Sequence, residues 1–582
     1  MKRIIDFKAA KCKHCYKCVR NCDVKAIQIK DERAEIMPDH CVLCGHCLQV
    51  CPQSAKTLIS DLDMVRYMIK RGEKVICSIA PSYIGLLKHH SIGQVNTALR
   101  RLGFTDVRET AEGAAVVTAA YDRMLEEGAM ENIITTCCPS VNDLIEIYYP
   151  SLTRYMAPVV SPMVAHGMML RKEYGRNAKI VFLGPCIAKK KEAADERHIG
   201  YIDAVLNFND INKWLEESGI DIDQCEDTPF KQIDPKVNRL YPVTNGVVNS
   251  VLATQKKVDS YRKFYVHGSK NCIELFDSMT RGELSGCFIE VNMCAGGCVK
   301  GPTVEDEKFI SRFKFKLDME ESTPREPADE DGLLKAMEGI DFKKIFVDKS
   351  PKDPMPTEAQ IREILAAIGK TKPEDELNCG ACGYPTCRDK AVAVFQKKAE
   401  LDMCIPYMHD KAESLANLVL ETSPNLVLIV DRDMKIVEYS SVGEKFFGKT
   451  RQEALDMYLY EFIDPEDFQW VFDTKNNIHG KKVKYPEYHD LATLQNIVYI
   501  EKEDVVLATL IDVTREDQQA AQDYETKLET IDLAQKVIHK QMMVAQEIAG
   551  LLGETTADTK TTLTKLCQSL LDDGSGSESE VR

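Results

Sequence analysis

Residues 132–141 read NIITTCCPSV: a short β-branched run that stops at two adjacent cysteines, before a helix-like stretch takes over. The same grammar recurs in KVICSIAP (74–81), KIVFLGPC (179–186) and SGCFIEVNMC (285–294). Short apolar runs that end in cysteine or proline and alternate with helical patterns predict an α/β architecture, with functional groups at the C-terminal ends of parallel strands. Neighbouring side chains diverge on an extended or turning backbone, so Cys137 and Cys138 are not expected to serve one metal side by side. They need separate work.

The chain has 582 residues, 44% of them hydrophobic, which is too many for one core and predicts several domains. Its 75 basic and 91 acidic residues leave a net charge of -16, which argues against nucleic acid or an anionic membrane surface as partner. No apolar run reaches the roughly 18 residues of a spanning helix, and MKRIIDFKAAKCKHC has no core of signal-peptide length, so the expected compartment is the cytoplasm. Most of the 22 cysteines cluster at metal-ligand spacings in a large chain, which reads as ligation rather than disulfides.

CKHCYKCVRNC supplies Cys12, Cys15, Cys18 and Cys22, and CVLCGHCLQVCP repeats the spacing with Cys41, Cys44, Cys47 and Cys51. This double C-x2-C-x2-C-x3-C pattern resembles the two-cluster bacterial ferredoxins. The resemblance implies one 4Fe-4S cluster on Cys12, Cys15, Cys18 and Cys51, and a second on Cys41, Cys44, Cys47 and Cys22. Two zinc sites, the other reading, leave the triplets unexplained. Asp23 stands where a proline usually follows the fourth cysteine; Pro52 keeps it in the second repeat.

Three later segments, TTCCPSV (135–141), GPCIAKKKEA (184–193) and EVNMCAGGCVKGP (290–302), together resemble the signature segments of the FeFe hydrogenases, over roughly residues 1–345. The resemblance implies an H-cluster whose 4Fe-4S part is held by Cys138, Cys186, Cys294 and Cys298. Cys298 would bridge to a di-iron subsite with carbon monoxide, cyanide and azadithiolate. It implies that Lys189 contacts a cyanide, that Ala80 and Pro81 line the pocket, and that Cys137 passes the proton as an acid/base thiol; an inert buried thiol is the other reading of Cys137. The small residues AGG between Cys294 and Cys298 would let backbone approach a bulky group. The family's proton path continues through a serine and two glutamates, whose places here fall near Ala157, Tyr121 and Met124, while Val141, Gly184 and Asn292 replace the usual pocket residues. Slow turnover is the expectation.

CGACGYPTC adds Cys379, Cys382 and Cys387, with Cys404 following, and resembles the small 4Fe-4S module of corrinoid iron-sulfur proteins; zinc is its rival. SPNLVLIVDRDMKIVEYS and the later NIVYIEKEDVVLATLIDVT resemble a PAS domain. No cysteine lies between 405 and 566, which excludes flavin-thiol photochemistry; His479 and His489 read as exposed loop histidines, and the PAS ligand is unknown. Apolar residues from Tyr524 through Leu528, Ile531, Ile538, Met542, Ala545 and Ala549 to Leu552 follow spacings of 3 and 4, with Gln535 the polar exception, a coiled-coil stripe or one amphipathic helix packed on its own PAS domain. Gly553 breaks it, and DDGSGSESEVR reads as a disordered tail.

The expected fold is therefore multidomain α/β. It comprises a two-cluster ferredoxin fold (1–57), a two-lobed α/β H-cluster domain (58–349), a linker with a small 4Fe-4S module (350–411), an α+β PAS domain (412–517), and a signalling helix or coiled coil with tail (518–582). The expected function is that of a sensory FeFe hydrogenase, which binds or slowly oxidises dihydrogen and relays redox state through three further 4Fe-4S clusters. Expected partners are dihydrogen and protons, a ferredoxin-like redox protein, hydrogenase maturation proteins, and a kinase or serine/threonine phosphatase. A homodimer through PAS and coiled coil is expected; nucleic acid and membrane are not. A metabolic ferredoxin-linked hydrogenase and a non-catalytic hydrogenase-like iron-sulfur protein are the alternatives.

Overall fold

The computed structural model describes residues 3–30, 33–255, 260–304, 323–549 and 556–572. They divide into two compact units, Met1–Met408 and His409–Arg582. The expected multidomain α/β class is borne out.

The first unit is built on two separate parallel sheets. One has the order Asp106–Glu109, Val75–Ile79, Lys179–Leu183, Ala204–Leu206, and the other Arg262–His267, Cys287–Asn292, Asn132–Ile134. Val75–Ile79 and Cys287–Asn292 are buried along their whole length, as strands covered on both faces must be. Helices Ala111–Glu127 and Pro162–Tyr174 pack together beside the first sheet. Gly113 permits that approach, because a Cβ there would stand 2.2 Å from the Pro162 carbonyl oxygen. Each of Val75–Ile79, Asn132–Ile134, Lys179–Leu183 and Cys287–Asn292 delivers its next residues, 80–81, 135–138, 184–186 and 293–294, from its C-terminal end.

The N-terminal module holds two short antiparallel pairs, Ile5–Phe7 with Lys56–Leu58 and Ile27–Lys30 with Arg33–Ile36. Its two cysteine loops repeat one another in backbone conformation. Positive φ occurs two and four residues after the first cysteine of each, at His14 (52°) and Tyr16 (53°), then Leu43 (52°) and Gly45 (82°). Lys25 and Ser54, each three residues after the fourth cysteine, share it as well (48° and 46°). Left-handed backbone at non-glycine residues is costly and recurs where a site requires it.

In the second unit a five-stranded antiparallel sheet runs in the order Ile436–Tyr439, Leu426–Val430, Val505–Asp512, Leu491–Ile500, Ile478–Tyr485. Phe447 packs against Phe462, Tyr485 and Tyr488 in its core, with ring centroids 5.0 to 5.4 Å away. His489 is exposed as expected, but His479 lies on strand Ile478–Tyr485 rather than in a loop. Asp512 accepts from the backbone and hydroxyl of Thr514, which opens the helix Thr514–Ala549. Two residues of the apolar stripe, Ile538 and Met542, line one groove with Leu563 and Cys567 of the chain's own last helix, Thr556–Asp572. Leu552, Gly553 and the tail 573–582 lie outside the described residues. Among the described residues no helix is long and apolar enough to cross a membrane.

Candidate metal centres and the paired cysteines

The two threonines of TTCC pin the loop that carries the thiols. Thr135 donates its backbone N–H to Ile289 (3.0 Å) and accepts from Val291 on its hydroxyl (3.2 Å), while Thr136 Oγ1 donates to Ala157 and Val159 (both 3.1 Å). Cys138 then caps helix Pro139–Tyr148, with proline in the first turn, where its missing N–H costs nothing. The neighbours part company at this point. Cys137 Sγ is hydrogen-bonded to the Tyr121 hydroxyl at 3.2 Å. Cys138 instead belongs to a set with Cys186, Cys294 and Cys298, each of whose thiols is raised by burial and then by repulsion from others of the set. Burial pushes the Cys137 thiol up to about 12, with Tyr121 and Lys189 opposing.

Lys189 is buried beside these thiols, yet its three protons have partners: Glu192 Oε2 (2.7 Å), Ser161 Oγ (2.9 Å) and the Cys137 carbonyl (3.3 Å). Ser161 also donates to Glu192 (2.9 Å), and Lys344 stands 3.7 Å from the other carboxylate oxygen. Burial works against the Lys189 charge, but Glu192, Cys186 and Cys137 together outweigh it and hold the ammonium above its ordinary range. Ser161, Glu192 and Lys344 were not legible as site residues, although the lysine-to-glutamate spacing of three on helix Ala188–Ala193 was a usable signal.

Sequence reasoning also missed Glu290. Its carboxylate accepts from the N–H groups of Val247 (2.9 Å) and Val248 (3.0 Å) in the first turn of helix Gly246–Thr254, and from Asn292 Nδ2 (3.1 Å). Burial nevertheless raises it to about 7, and its charge acts on both Cys137 and Tyr241. Tyr121 was set aside as the replacement of a relay glutamate, but its hydroxyl joins Cys137 to the Thr136 N–H (3.0 Å). Ala157 and Met124 add only apolar packing. Ala80 follows strand Val75–Ile79 and donates its N–H to Leu183 (2.8 Å), which brings the Ala80–Pro81 turn beside Gly184. At Gly297 φ is 88° and a Cβ would lie 2.5 Å from the Pro242 oxygen, so the AGG segment is fixed by close backbone contact.

The ferredoxin-type cysteines gather in the crossed arrangement. Cys12, Cys15, Cys18 and Cys51 line one cavity together with Lys56, whose Nζ lies 3.6 Å from Cys18 Sγ. Cys22, Cys41, Cys44 and Cys47 influence one another electrostatically, and Cys44 also acts on Cys294. Ser140, just after the paired cysteines, donates to the Leu43 carbonyl at 3.3 Å, tying that loop to the hydrogenase-like site. Cys379, Cys382, Cys387 and Cys404 line a further cavity. Its module packs on the first cysteine repeat: Ile29 donates to the Lys398 carbonyl (2.9 Å), and a Cβ on Gly383 would meet Val19 at 2.8 Å. Among the described residues no three His, Cys, Asp or Glu side chains close up on a single metal ion. The thiols of the Cys12 set and of the Cys379 set line cavities instead, with positive-φ backbone at His14, Tyr16, Gly380 and Gly383 among them, a donor set that fits anionic iron-sulfur clusters.

Paired ferredoxin loops, a four-thiol set at the ends of parallel strands and a PAS-type sheet define a multidomain iron-sulfur protein of the hydrogenase-like oxidoreductase class. Residues 73–302 match the family model "Iron only hydrogenase large subunit, C-terminal domain", residues 11–55 a 4Fe-4S dicluster domain, residues 375–406 an Fe-S cluster model and residues 416–513 the PAS fold. The chain carries an iron-only hydrogenase large-subunit domain, a 4Fe-4S ferredoxin domain and a C-terminal PAS domain. It is 26% identical over 310 residues to iron hydrogenase 1 of Clostridium pasteurianum, which is 43% of this chain and 53% of that protein. It is 27% identical over 259 residues to the periplasmic Fe hydrogenase large subunit of Nitratidesulfovibrio vulgaris, 36% of this chain and 61% of that one. The chain thus spans between half and two thirds of these curated relatives. A solved FeFe hydrogenase of Chlamydomonas reinhardtii is matched along 100% of its length by 50% of this chain, at 16% identity and a TM-score of 0.42.

Proposed function

We propose that the chain is a sensory FeFe hydrogenase, in which Cys138, Cys186, Cys294 and Cys298 hold the 4Fe-4S part of an H-cluster and Cys137 handles the proton. The group, when bound, supplies reversible interconversion of dihydrogen with two protons and two electrons. The observation that carries this reading is the parting of the paired thiols: Cys138 faces the other ligand candidates, while Cys137 is bonded to Tyr121. A thiol held up to about 12 stays protonated and can give its proton to a base created beside it. Glu290, at about 7, is the nearby group suited to exchanging protons at neutral pH. Tyr121 is raised well above its ordinary value, chiefly by burial, so it orients the thiol and does not ionise. Ala157, Tyr121 and Met124, in the places of the family's relay groups, support slow turnover.

The two ferredoxin-type sets and the set of Cys379, Cys382, Cys387 and Cys404 supply three further 4Fe-4S sites in this reading. Cys404 directly precedes helix Ile405–Thr422, and the PAS strand Leu426–Val430 follows it in sequence, which supports redox state at that centre as the input to the PAS domain and the long helix. A homodimer, maturation proteins, a ferredoxin-like donor and a kinase or phosphatase recipient complete the proposal, in the cytoplasm.

One observation favours a second reading, a hydrogenase-like iron-sulfur protein without the di-iron subsite. Lys189, the expected cyanide contact, is already engaged by Ser161, Glu192 and the Cys137 carbonyl. Infrared spectra of protein matured with the hydrogenase maturation proteins separate the two. Carbonyl and cyanide bands that respond to dihydrogen, with turnover far below that of metabolic hydrogenases, are the expected result. Absence of those bands after maturation supports the second reading, and fast turnover refutes the sensory role.

A further inference from the structure

The cavity lined by Cys379, Cys382, Cys387 and Cys404 contains two lysines that the cysteine pattern does not call for. Lys390 stands one helical turn after Cys387 on helix Cys387–Phe395 and is only 2% exposed. Its Nζ donates to the Leu401 carbonyl at 2.8 Å. Lys370, 8% exposed, also lines the cavity and donates to the Asp375 carbonyl. Among the described residues neither makes an ion pair with a carboxylate; Asp402 is the acidic group whose field reaches Lys390, after those of Cys404, Cys382 and Cys387.

A buried ammonium with only carbonyl partners is expensive unless an anion lies opposite. A stem that merely filled space would carry its head to water, as exposed lysines do. Here both side chains line the cavity with the four thiols, and both ammonium groups end on backbone carbonyls. Burial pulls Lys390 below its ordinary range, and the three cysteines oppose that pull.

We propose that Lys390, assisted by Lys370, is the fixed counter-charge of the Cys379–Cys382–Cys387–Cys404 centre and raises its one-electron reduction potential. This rests on the reading that these cysteines hold a 4Fe-4S cluster. Reduction adds one negative charge, and a cation inside the same low-dielectric cavity stabilises the reduced form more than the oxidised one. Lys390 is thus a positioning residue: it ligates nothing and biases the centre toward holding an electron.

The test is a redox titration of the full-length, reconstituted protein with dithionite as reductant, followed by electron paramagnetic resonance, in wild type and in Lys390→Met, Lys390→Gln and Lys390→Arg. Cys387→Ser identifies which signal belongs to this centre, and iron and sulfide counts report occupancy. At the wild-type midpoint the reduced-to-oxidised ratio should fall about tenfold in the Met and Gln variants, a ~59 mV drop for a one-electron couple, and stay within about twofold in the Arg variant. Loss of the cluster from Met and Gln but not from Arg also supports a required charge. An unchanged midpoint in Met and Gln, or loss of the cluster from all three variants, overturns the proposal in favour of packing. A wild-type spectrum without any signal that Cys387→Ser removes refutes the cluster reading itself, and the proposal with it.

Discussion

Replacing Glu290 by Gln removes a group that titrates near neutrality and whose charge acts on Cys137, while keeping its shape. The carboxyl is moved from 4.5 to about 7 by burial, against the opposing bonds from Val248, Val247, Asn245 and Asn292. Such a displacement corresponds to about 3 kcal/mol, at about 1.4 kcal/mol per pH unit. The sign follows from the raised value: between pH 4.5 and 7 the native state holds the proton and the unfolded state does not, so stability is fully present below 4.5 and declines as pH rises through 7. Gln carries no such penalty. Its amide oxygen can keep the bonds from Val247 and Val248, and Asn292 can turn its own oxygen toward the new amide. Relative to wild type, the variant should therefore gain about 2 kcal/mol between pH 5.5 and pH 8, the part of the displacement that falls in that window. Urea unfolding of the full-length protein at the two pH values, read by tryptophan fluorescence and circular dichroism, measures this difference of differences. Dihydrogen turnover of the matured variant should fall by about 10² or more, with loss of the inflection near neutral pH. Parallel stability profiles, or unchanged turnover with an unchanged pH profile, would refute both the titration of Glu290 and its part in moving protons.

Cys137→Ser should retain the full iron content and the infrared bands while turnover drops by about 10² to 10⁴; iron loss comparable to that of Cys138→Ser would make Cys137 a ligand after all. Glu192→Gln leaves Lys189 buried without its carboxylate and should destabilise the first unit by about 3–5 kcal/mol, seen as a shift of the urea midpoint; a shift below about 1 kcal/mol would mean the triangle with Ser161 is not a structural lock. Gly297→Ala meets the Pro242 oxygen at 2.5 Å with φ at 88°, so iron bound by the Cys294–Cys298 segment should be lost selectively, while the ferredoxin-type centres keep theirs; normal occupancy would show that the loop can relax.

What the sequence made legible was whatever repeats at short range. The doubled triplets fix two loops whose positive-φ residues fall at the same places, down to Lys25 and Ser54, and four apolar runs ending in cysteine or proline fix four strand ends, three of which deliver cysteines. What stayed hidden is contact between distant segments with no periodic signature. Glu290 is an ordinary glutamate in a strand until helix Gly246–Thr254 brings two N–H groups to it from some forty positions away. The apolar stripe was legible as a stripe, but its neighbour was not: Ile538 and Met542 share a groove with Leu563 and Cys567, because period alone specifies an apolar face and not what covers it. Tyr121 was misjudged for a related reason. Aligning it with a glutamate asks whether it could replace that glutamate, whereas its position opposite Thr136 gives it a different task, orienting a thiol.

That task bears on why two cysteines stand together. Candidate ligand thiols in this chain are met by backbone N–H groups: Cys138 from Met293, Val141 and Ser140, Cys186 from Lys189 and Ala188, Cys51 from Ala55 and Gln53. Such dipoles favour sulfur as an anion, the form a cluster needs. Cys137, one residue earlier, has left the strand and has not yet reached the helix, so the partner its thiol finds is a phenol. Burial leaves that thiol protonated, while the phenol, itself at high pKa, offers it a hydrogen bond without offering charge. The turn from strand to helix thus sorts two identical side chains by the backbone each inherits. In the proposed reading a single cysteine there could anchor or donate but not both, which gives a physical reason for the doubling in NIITTCCPSV.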